Sequence, residues 1–156
     1  MTKYIRMKNI MLLICIFISL GFYLSKSQAG QEGDSKMTKE IMGAIDVMAY
    51  GYNVKIFING IDIGIKGGKS ESARLFGKEH SMAPRLPEDM KHLACLKAGQ
   101  NEIKVDYQRL KDVDSTGLTV ELKSAEQFAT DDHLFYFREE PDRNGSSRSI
   151  TESFNM

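Results

Sequence analysis

The chain has 156 residues, and its 21 Lys and Arg balance its 21 Asp and Glu. This length allows one domain with a single hydrophobic core, and the charge balance excludes the strongly basic surface of nucleic-acid-binding domains. Cysteine occurs only at Cys15 and Cys95, so the chain is not a small domain stabilised by several disulfides.

The first 29 residues have the three-part order of a secretory signal peptide. Lys3, Arg6 and Lys8 precede an apolar run over residues 10–24, and a short polar segment ends at Ala29. The cations hold the N terminus in the cytoplasm, the apolar run enters the bilayer, and small residues fit signal peptidase. We therefore predict cleavage after Ala29 and a periplasmic or secreted chain, which the intact mass of the recovered protein would reveal.

Two other interpretations of this segment fit less well. An uncleaved anchor needs about 20 apolar residues, and only the 15 residues at positions 10–24 form an apolar run. A lipoprotein would carry its lipid on Cys15, but the bulky Ile14 stands where a small residue is required. Export with cleavage remains the prediction.

Without residues 1–29, the chain keeps 127 of its 156 residues and a formal charge of −4, since 17 basic residues then face 21 acidic ones. This mildly acidic balance disfavours phosphate backbones and anionic lipids, so we predict no nucleic-acid partner and no membrane insertion after cleavage. Cys95 lies in an apolar run, which predicts a buried and unreactive thiol. An intermolecular disulfide or a reactive thiol is the alternative.

The segment from residue 30 to 51 is interpreted as a leader followed by a short helix. Residues 30–35 are polar and contain glycine, whereas Ile41, Ala44, Ile45 and Met48 recur at helical spacing. Gly43 weakens a helix, and the alternative for this segment is a strand.

The clearest local pattern is a hairpin. Apolar residues alternate with polar ones from Tyr52 to Ile58 and again from Ile61 to Ile65, and Asn59-Gly60 separates the two runs. Asn-Gly favours a type I′ turn because both residues accept positive φ. On this basis glycine would replace Asn59 with little effect.

Shorter alternating runs continue to the C terminus. They predict strands at 73–76, 92–96, 101–107, 118–122, 134–137 and 148–154. The connection at 78–89 contains Pro84 and Pro87 and is interpreted as a crossover between sheets, with a functional loop as the alternative. Seven or eight short strands predict an all-β, two-layer antiparallel sandwich, jelly-roll or immunoglobulin-like, over residues 52–156.

The stretch VKIFINGIDIGIKGG, followed later by LKAGQNEIKVDY, resembles accessory jelly-roll domains of the galactose-binding-like group and small envelope β-sandwich domains. In those domains a strand–Asn-Gly–strand hairpin precedes a Leu-x-x-Gly-x-Asn turn that leads into an alternating strand. The resemblance runs from Val54 to Tyr107 and implies a sandwich fold. Both motifs are sequences that allow the backbone to turn between antiparallel strands, so they imply no particular ligand.

Candidate metal ligands are few and scattered. His80, His92 and His133 share no close spacing, and His133 follows Asp131 and Asp132 without a fourth ligand. Exposed loop polarity explains these residues without a metal, so we predict none.

Residues 112–117 are similar to part of a calcium loop, with Asp112 and Asp114 before Gly117. The bidentate glutamate of such a loop is missing, because Leu122 stands near its place with Glu121 beside it. A solvated turn is the simpler interpretation, and we predict no cofactor.

Catalytic motifs are equally weak. Residues 67–70 read GGKS but lack the earlier glycine and the strand-to-helix setting of a phosphate loop. Ser70, His80 and Asp89 have the residue types of a catalytic triad, but any chain of this length contains such a combination by chance. The acidic pair 139–140 lies beside a proline in a loop and is interpreted as solvated. We therefore predict that the protein is not an enzyme.

The remaining hypothesis is an exported sandwich that binds a protein or another envelope component. A carbohydrate-binding module is the alternative, although the chain has no Trp on which a sugar would stack. Tyr50 and Tyr52 flank Gly51 and would form a small platform, but Tyr52 belongs to the alternating set that faces the core.

Overall fold

The computed structural model of the chain describes residues 40–111, 113, 116–139 and 147–156. They form eight strands: β1 (Met42–Tyr50), β2 (Tyr52–Ile58), β3 (Ile61–Asp62), β4 (Ser70–Phe76), β5 (Gln100–Arg109), β6 (Gly117–Ser124), β7 (Phe135–Glu139) and β8 (Ser147–Asn155). Three short 3₁₀ helices, Ala83–Arg85, Glu88–Leu93 and Ala125–Gln127, lie in the connections. Among the described residues, no helix is long and apolar enough to cross a membrane. The predicted signal peptide lies outside the described residues.

The strands form two antiparallel sheets that pack face to face, which confirms the predicted all-β sandwich. Sheet A has the strand order β4-β1-β6-β7, and sheet B has the order β3-β2-β5-β8. Alternate side chains of both sheets point inward and form one hydrophobic core, because burial of apolar surface is the main driving force for such layers. Its members include Ile45, Val47, Val120 and Leu122 from sheet A and Val54, Ile56, Ile103 and Val105 from sheet B.

Residues 42–50 form a strand inside sheet A, so the helix predicted for this segment is wrong. Its inward positions include Gly43 and Ala49, which are small but fully part of the buried face. A Cβ at Gly43 would lie 3.0 Å from the carbonyl oxygen of Lys123 on β6, so a small residue lets the two strands approach. The sandwich therefore extends N-terminal of Tyr52.

The predicted hairpin is confirmed. Asn59 and Gly60 have φ values of 50° and 78°, as a type I′ turn requires, and Ile58 pairs with Ile61. The regular part of β3 spans only two residues, but the amide of Ile63 still donates to the carbonyl of Ile56 at 3.0 Å. The predicted inward alternation of the returning segment therefore persists beyond the strand.

The strand predicted at 92–96 is wrong, whereas the crossover before it is confirmed. The segment between β4 of sheet A and β5 of sheet B contains the 3₁₀ helix Glu88–Leu93, which follows Pro87. Proline fixes φ near the value of a helical first turn and removes an amide donor, so it favours this turn over a ladder position. Leu96 only forms an isolated bridge with Gly77.

The hairpin tip is joined to the turn before β5 by two asparagine side chains. Asn59 Nδ2 donates to the carbonyl of Cys95 and to Oδ1 of Asn101, both at 2.8 Å, and its Oδ1 accepts the amide of Glu102 at 3.1 Å. Asn101 is 1% exposed and both donates to and accepts from the backbone of Lys97. Glycine at position 59 would lose three hydrogen bonds, so we now expect this change to be costly.

Candidate functional site

Most of the exposed large apolar side chains of the described residues lie on the outer face of sheet A. Four of the six, Met48, Tyr50, Phe128 and Tyr136, are on this surface. Exposed apolar side chains that cluster mark interaction surfaces more often than isolated ones do. We call this surface the aromatic face and define it as Asp46, Met48, Tyr50, Arg74, Glu121, Lys123, Phe128, His133 and Tyr136.

The neighbours of Met48 and Tyr50 explain their exposure. Met48 lies between Ser70 on β4 and Thr119 on β6, and Tyr50 lies opposite Gly117. These small neighbours leave the two larger side chains standing above the sheet, and Tyr50 is 47% exposed. The Tyr50 hydroxyl accepts a hydrogen bond from Ser70 Oγ at 3.1 Å, which orients the ring.

Tyr136 is held from behind by His133. The two rings stack with centroids 5.1 Å apart and an interplanar angle of 29°, while Tyr136 remains 50% exposed. His133 in turn lies 2.9 Å from Glu121, so three side chains fix this aromatic platform. A ring that is already ordered loses little conformational entropy when a ligand packs on it.

Phe128 is the member of the aromatic face that follows the short helix between β6 and β7. The guanidinium of Arg74 lies 5.3 Å from its ring centroid, a cation–π contact. Ser124 and Gln127 form a capping box at the short helix before it, which fixes the start of the β6–β7 connection.

Two acidic side chains occupy the middle of the aromatic face. Asp46 on β1 and Glu121 on β6 are direct cross-strand partners, so two acidic side chains face each other. Lys123 and, secondly, His133 pair with Glu121, and its pKa is lowered chiefly by the Lys123 hydrogen bond despite an opposing effect of burial. No described residue forms an ion pair with Asp46.

Asp46 also lies where two hollows adjoin. Cavities of about 360 and 280 Å³ share Asp46, Ser72 and Glu121 in their linings. A ligand side chain that enters the smaller hollow would meet Asp46 with no Lys or Arg in the lining, whereas Arg74 and Lys123 line the larger hollow.

The outward side chains of the sheet B strands are mostly polar, although the exposed surface of the groove on this side is mainly apolar. This groove of about 670 Å³ crosses the outer face of sheet B, and the outward side chains that line it include Asn53, Lys55, Asp106, Gln108 and Ser149. Asp106 is already satisfied by Lys104 at 2.8 Å and by Ser149 at 2.6 Å, and these hydrogen bonds lower its pKa. Tyr107 also lines the groove, but its ring is buried.

The structure separates the histidines. His80 is buried against Phe76 and pairs with Glu40 at 3.2 Å, whereas His133 belongs to the aromatic face. His92 lies near Gly64, where a Cβ would be 3.4 Å from its Nε2. Within the described residues, no group of three or more histidine, cysteine or acidic side chains is close enough to hold a metal.

Ser70 and His80, which the sequence offered as members of a triad, and the glycine-rich loop make other contacts. The Ser70 hydroxyl donates to Tyr50, and His80 pairs with Glu40 rather than with Ser70. In the loop, the amide of Gly67 donates to Glu71 Oε2 at 3.2 Å, so this amide is already engaged by a carboxylate of the chain itself. Asp112, Asp114 and Ser115 of the calcium-like segment lie outside the described residues.

One partly buried polar network could not be predicted from the sequence. The Tyr107 hydroxyl donates to Glu139 Oε2 at 2.9 Å, and Arg148 donates to Oε1 of the same carboxylate at 2.9 Å. Burial first, and the Glu139 carboxylate second, raise the pKa of Tyr107. The network links β5 and β8 of sheet B to β7 of sheet A, and only the acidic pair at 139–140 hinted at it in the sequence.

Cys95 is buried as predicted, although not in a strand. It is 3% exposed, its Sγ lies 3.7 Å from the carbonyl oxygen of Leu93, and burial raises its pKa to about 12 from 9.0. A thiol that stays protonated is a poor nucleophile, so this environment favours an inert core residue.

We expect Cys95 to resist alkylation in the folded protein up to about pH 9 and to react only upon unfolding. Because the folded pKa is raised, the stabilising contribution is complete below pH 9.0 and is lost as the pH rises towards about 12. Cys95→Ser should cost about 1–3 kcal/mol, since it buries a hydroxyl without an assured partner. Rapid labelling of the native protein by iodoacetamide would contradict this assignment.

The chain has no match among known proteins. No family model matches the chain, and neither curated proteins nor solved structures give a match. The functional argument therefore depends on the surface itself.

Proposed function

We propose that the chain is an exported binding protein that catalyses no reaction and docks on an envelope protein through the aromatic face. The observation that carries this proposal is the concentration of Met48, Tyr50, Phe128 and Tyr136 on one side of the sandwich. Aromatic side chains and methionine are enriched at the centres of protein interfaces. The N-terminal signal pattern supports a location in the periplasm or outside the cell.

The charges of the aromatic face indicate the chemistry of the partner. Asp46 has no described ion-pair partner, and the smaller hollow beside it is lined by Glu71 and Glu121 but by no Lys or Arg, so a Lys or Arg side chain of the partner would pair with Asp46 there. Apolar side chains of the partner would pack on Met48 and Tyr136 at the same time. Each 100 Å² of apolar surface removed from water contributes about 2.5 kcal/mol before the costs of association.

Asp46→Asn provides the sharpest test because binding should weaken without a loss of stability. The substitution removes a negative charge that faces Glu121, so the free energy of unfolding should stay the same or rise by up to about 0.5 kcal/mol. Capture of the partner from envelope extract should nevertheless fall about tenfold, since a desolvated charge pair is lost. Tyr136→Ala should weaken capture similarly.

Lys55→Gln is the matched control, because it also neutralises one charge but on the outer face of sheet B. Equal capture by the wild-type chain, Asp46→Asn and Tyr136→Ala would contradict docking at the aromatic face. A partner lost only with Lys55→Gln would assign binding to the groove of sheet B instead.

A carbohydrate-binding module is the second candidate, and Tyr136 is the observation that favours it. A sugar ring would stack on the exposed side of this ring, because His133 already supports the other side. The resemblance over Val54 to Tyr107 to galactose-binding-like domains also agrees with it and stays a prediction. Calorimetric titration with soluble envelope oligosaccharides distinguishes the two: binding that Tyr136→Ala abolishes and Asp46→Asn leaves intact favours the sugar.

A further inference from the structure

The outer edge of β8 is the longest unpaired strand edge in the described part of the chain. β8 runs for nine residues, Ser147–Asn155, and contains no Lys or Pro; its charges are Arg148 and Glu152, on the face shared with the inward residues Tyr107 and Ile103 of β5. By contrast, β3 has two residues and β7 five, while Leu96 and the helix Glu88–Leu93 flank β4. No described strand pairs with β8 on the side away from β5.

The sequence of β8 is complementary to itself when it is read in the antiparallel direction. Around Ile150, serine or threonine alternates with one cation and one anion in the order Ser-Arg-Ser-Ile-Thr-Glu-Ser. Antiparallel pairing centred on Ile150 places Arg148 opposite Glu152 twice, and it places serine opposite serine or threonine. Opposite charges directly across a strand pair are stabilising.

The charged side chains are exposed at this edge. Arg148 is 46% exposed, although its guanidinium already donates to Glu139 and makes a further contact, so a second carboxylate would share an engaged group that has five N–H donors. Glu152 is exposed and forms no ion pair with any described residue.

We propose that β8 pairs with β8 of a second copy of this chain, about a two-fold axis through Ile150, and forms one continuous eight-stranded sheet. The pairing is isologous, so it uses both β8 edges and closes at two copies. A two-fold axis normal to the sheet keeps equivalent faces on the same side. If the proposed function is correct, the dimer therefore presents two aromatic faces to one partner surface, which raises avidity.

Register-specific disulfides test the pairing without touching the aromatic face. In the complete chain with Cys15→Ser, Ile150→Cys would meet its own copy, and the double variant Ser147→Cys/Ser153→Cys would link each residue to the other one across the axis. The two designs occupy alternate rows of the ladder, so one of them lies at the closer, non-hydrogen-bonded pair. Each single serine variant places its two copies about 20 Å apart, beyond disulfide reach.

On non-reducing gels after mild oxidation, we expect a covalent dimer from Ile150→Cys or from the double variant, and monomer from both single serine variants. Cys95 will not interfere because it is buried. No dimer from either design, or equal dimer from Ser153→Cys alone, would overturn the proposal.

Sedimentation of the unlinked protein supplies an independent test. The wild-type chain should show a concentration-dependent dimer, and Glu152→Arg should weaken self-association at least about tenfold by facing Arg148 of the second copy with a like charge. Glu102→Arg makes the same charge change on β5, away from the edge, and should leave the dimer intact. Equal weakening by both variants, or a strict monomer in the wild type, would contradict the edge pairing.

Discussion

Asn101→Ala should lower the free energy of unfolding by about 2–4 kcal/mol, although it removes no apolar contact of the core. The Asn101 side chain donates to the carbonyls of Lys97 and Gly99 and accepts from the Lys97 amide and from Asn59, all within 3.0 Å. Alanine would leave these groups without partners next to a buried cavity. Urea unfolding followed by tyrosine fluorescence or circular dichroism measures the loss, since the chain has no Trp.

Asn59→Gly tests how much the Asn59 side chain, which donates to Asn101, contributes to the free energy of unfolding. Glycine adopts the positive φ of this turn without strain, so the measured loss comes from three missing hydrogen bonds and should be about 1–3 kcal/mol. Gln100→Ala, an exposed change beside Asn101, serves as the control and should shift stability by less than about 0.5 kcal/mol. A silent Asn59→Gly would show that the asparagine link does not stabilise the two turns.

Gly67→Ala should cost about 3 kcal/mol, because it combines backbone strain with overlap against a neighbouring strand. Gly67 has a φ of +81°, and a Cβ there would collide with the carbonyl oxygen of Tyr52 and lie 3.0 Å from the amide of Val54. The loop would have to move away from β2 and would give up the bridge between Asn53 and Gly67.

Gly60→Ala is the matched control for this effect. Gly60 has nearly the same φ, +78°, but no atom lies within 4 Å of its added Cβ. It should therefore cost only about 1 kcal/mol, the strain of a left-handed alanine. Equal losses at the two positions in the same urea experiment would mean that the close approach of the loop to β2 contributes nothing.

The sequence predicted those strands whose apolar residues are large and strictly alternating. The Asn59-Gly60 hairpin and β5 were confirmed because local turn chemistry and a period of two residues agree there. β1 was misassigned because Gly43 and Ala49 fill inward positions, which hid the alternation beneath a helical spacing. The 3₁₀ helix before Cys95 was missed because a short apolar run does not distinguish a strand from a helical turn.

The aromatic face could be predicted only in part. Its β1 members follow from alternation once residues 42–50 are known to be a strand. Phe128 and His133, however, come from the β6–β7 connection, and their positions depend on contacts with Arg74 and Tyr136 that no local pattern reveals. The link between Asn59 and Asn101 likewise joins two turns that are 42 residues apart.

Site-specific photo-crosslinking in living cells tests the proposed docking surface most directly. A photoreactive phenylalanine analogue would replace Met48 on the aromatic face or, as the control, Lys55 on the outer face of sheet B. We predict that the Met48 position yields one dominant protein adduct, that Asp46→Asn reduces its yield, and that the Lys55 position does not yield it. The same adduct from both positions, or none from Met48, would contradict docking through the aromatic face.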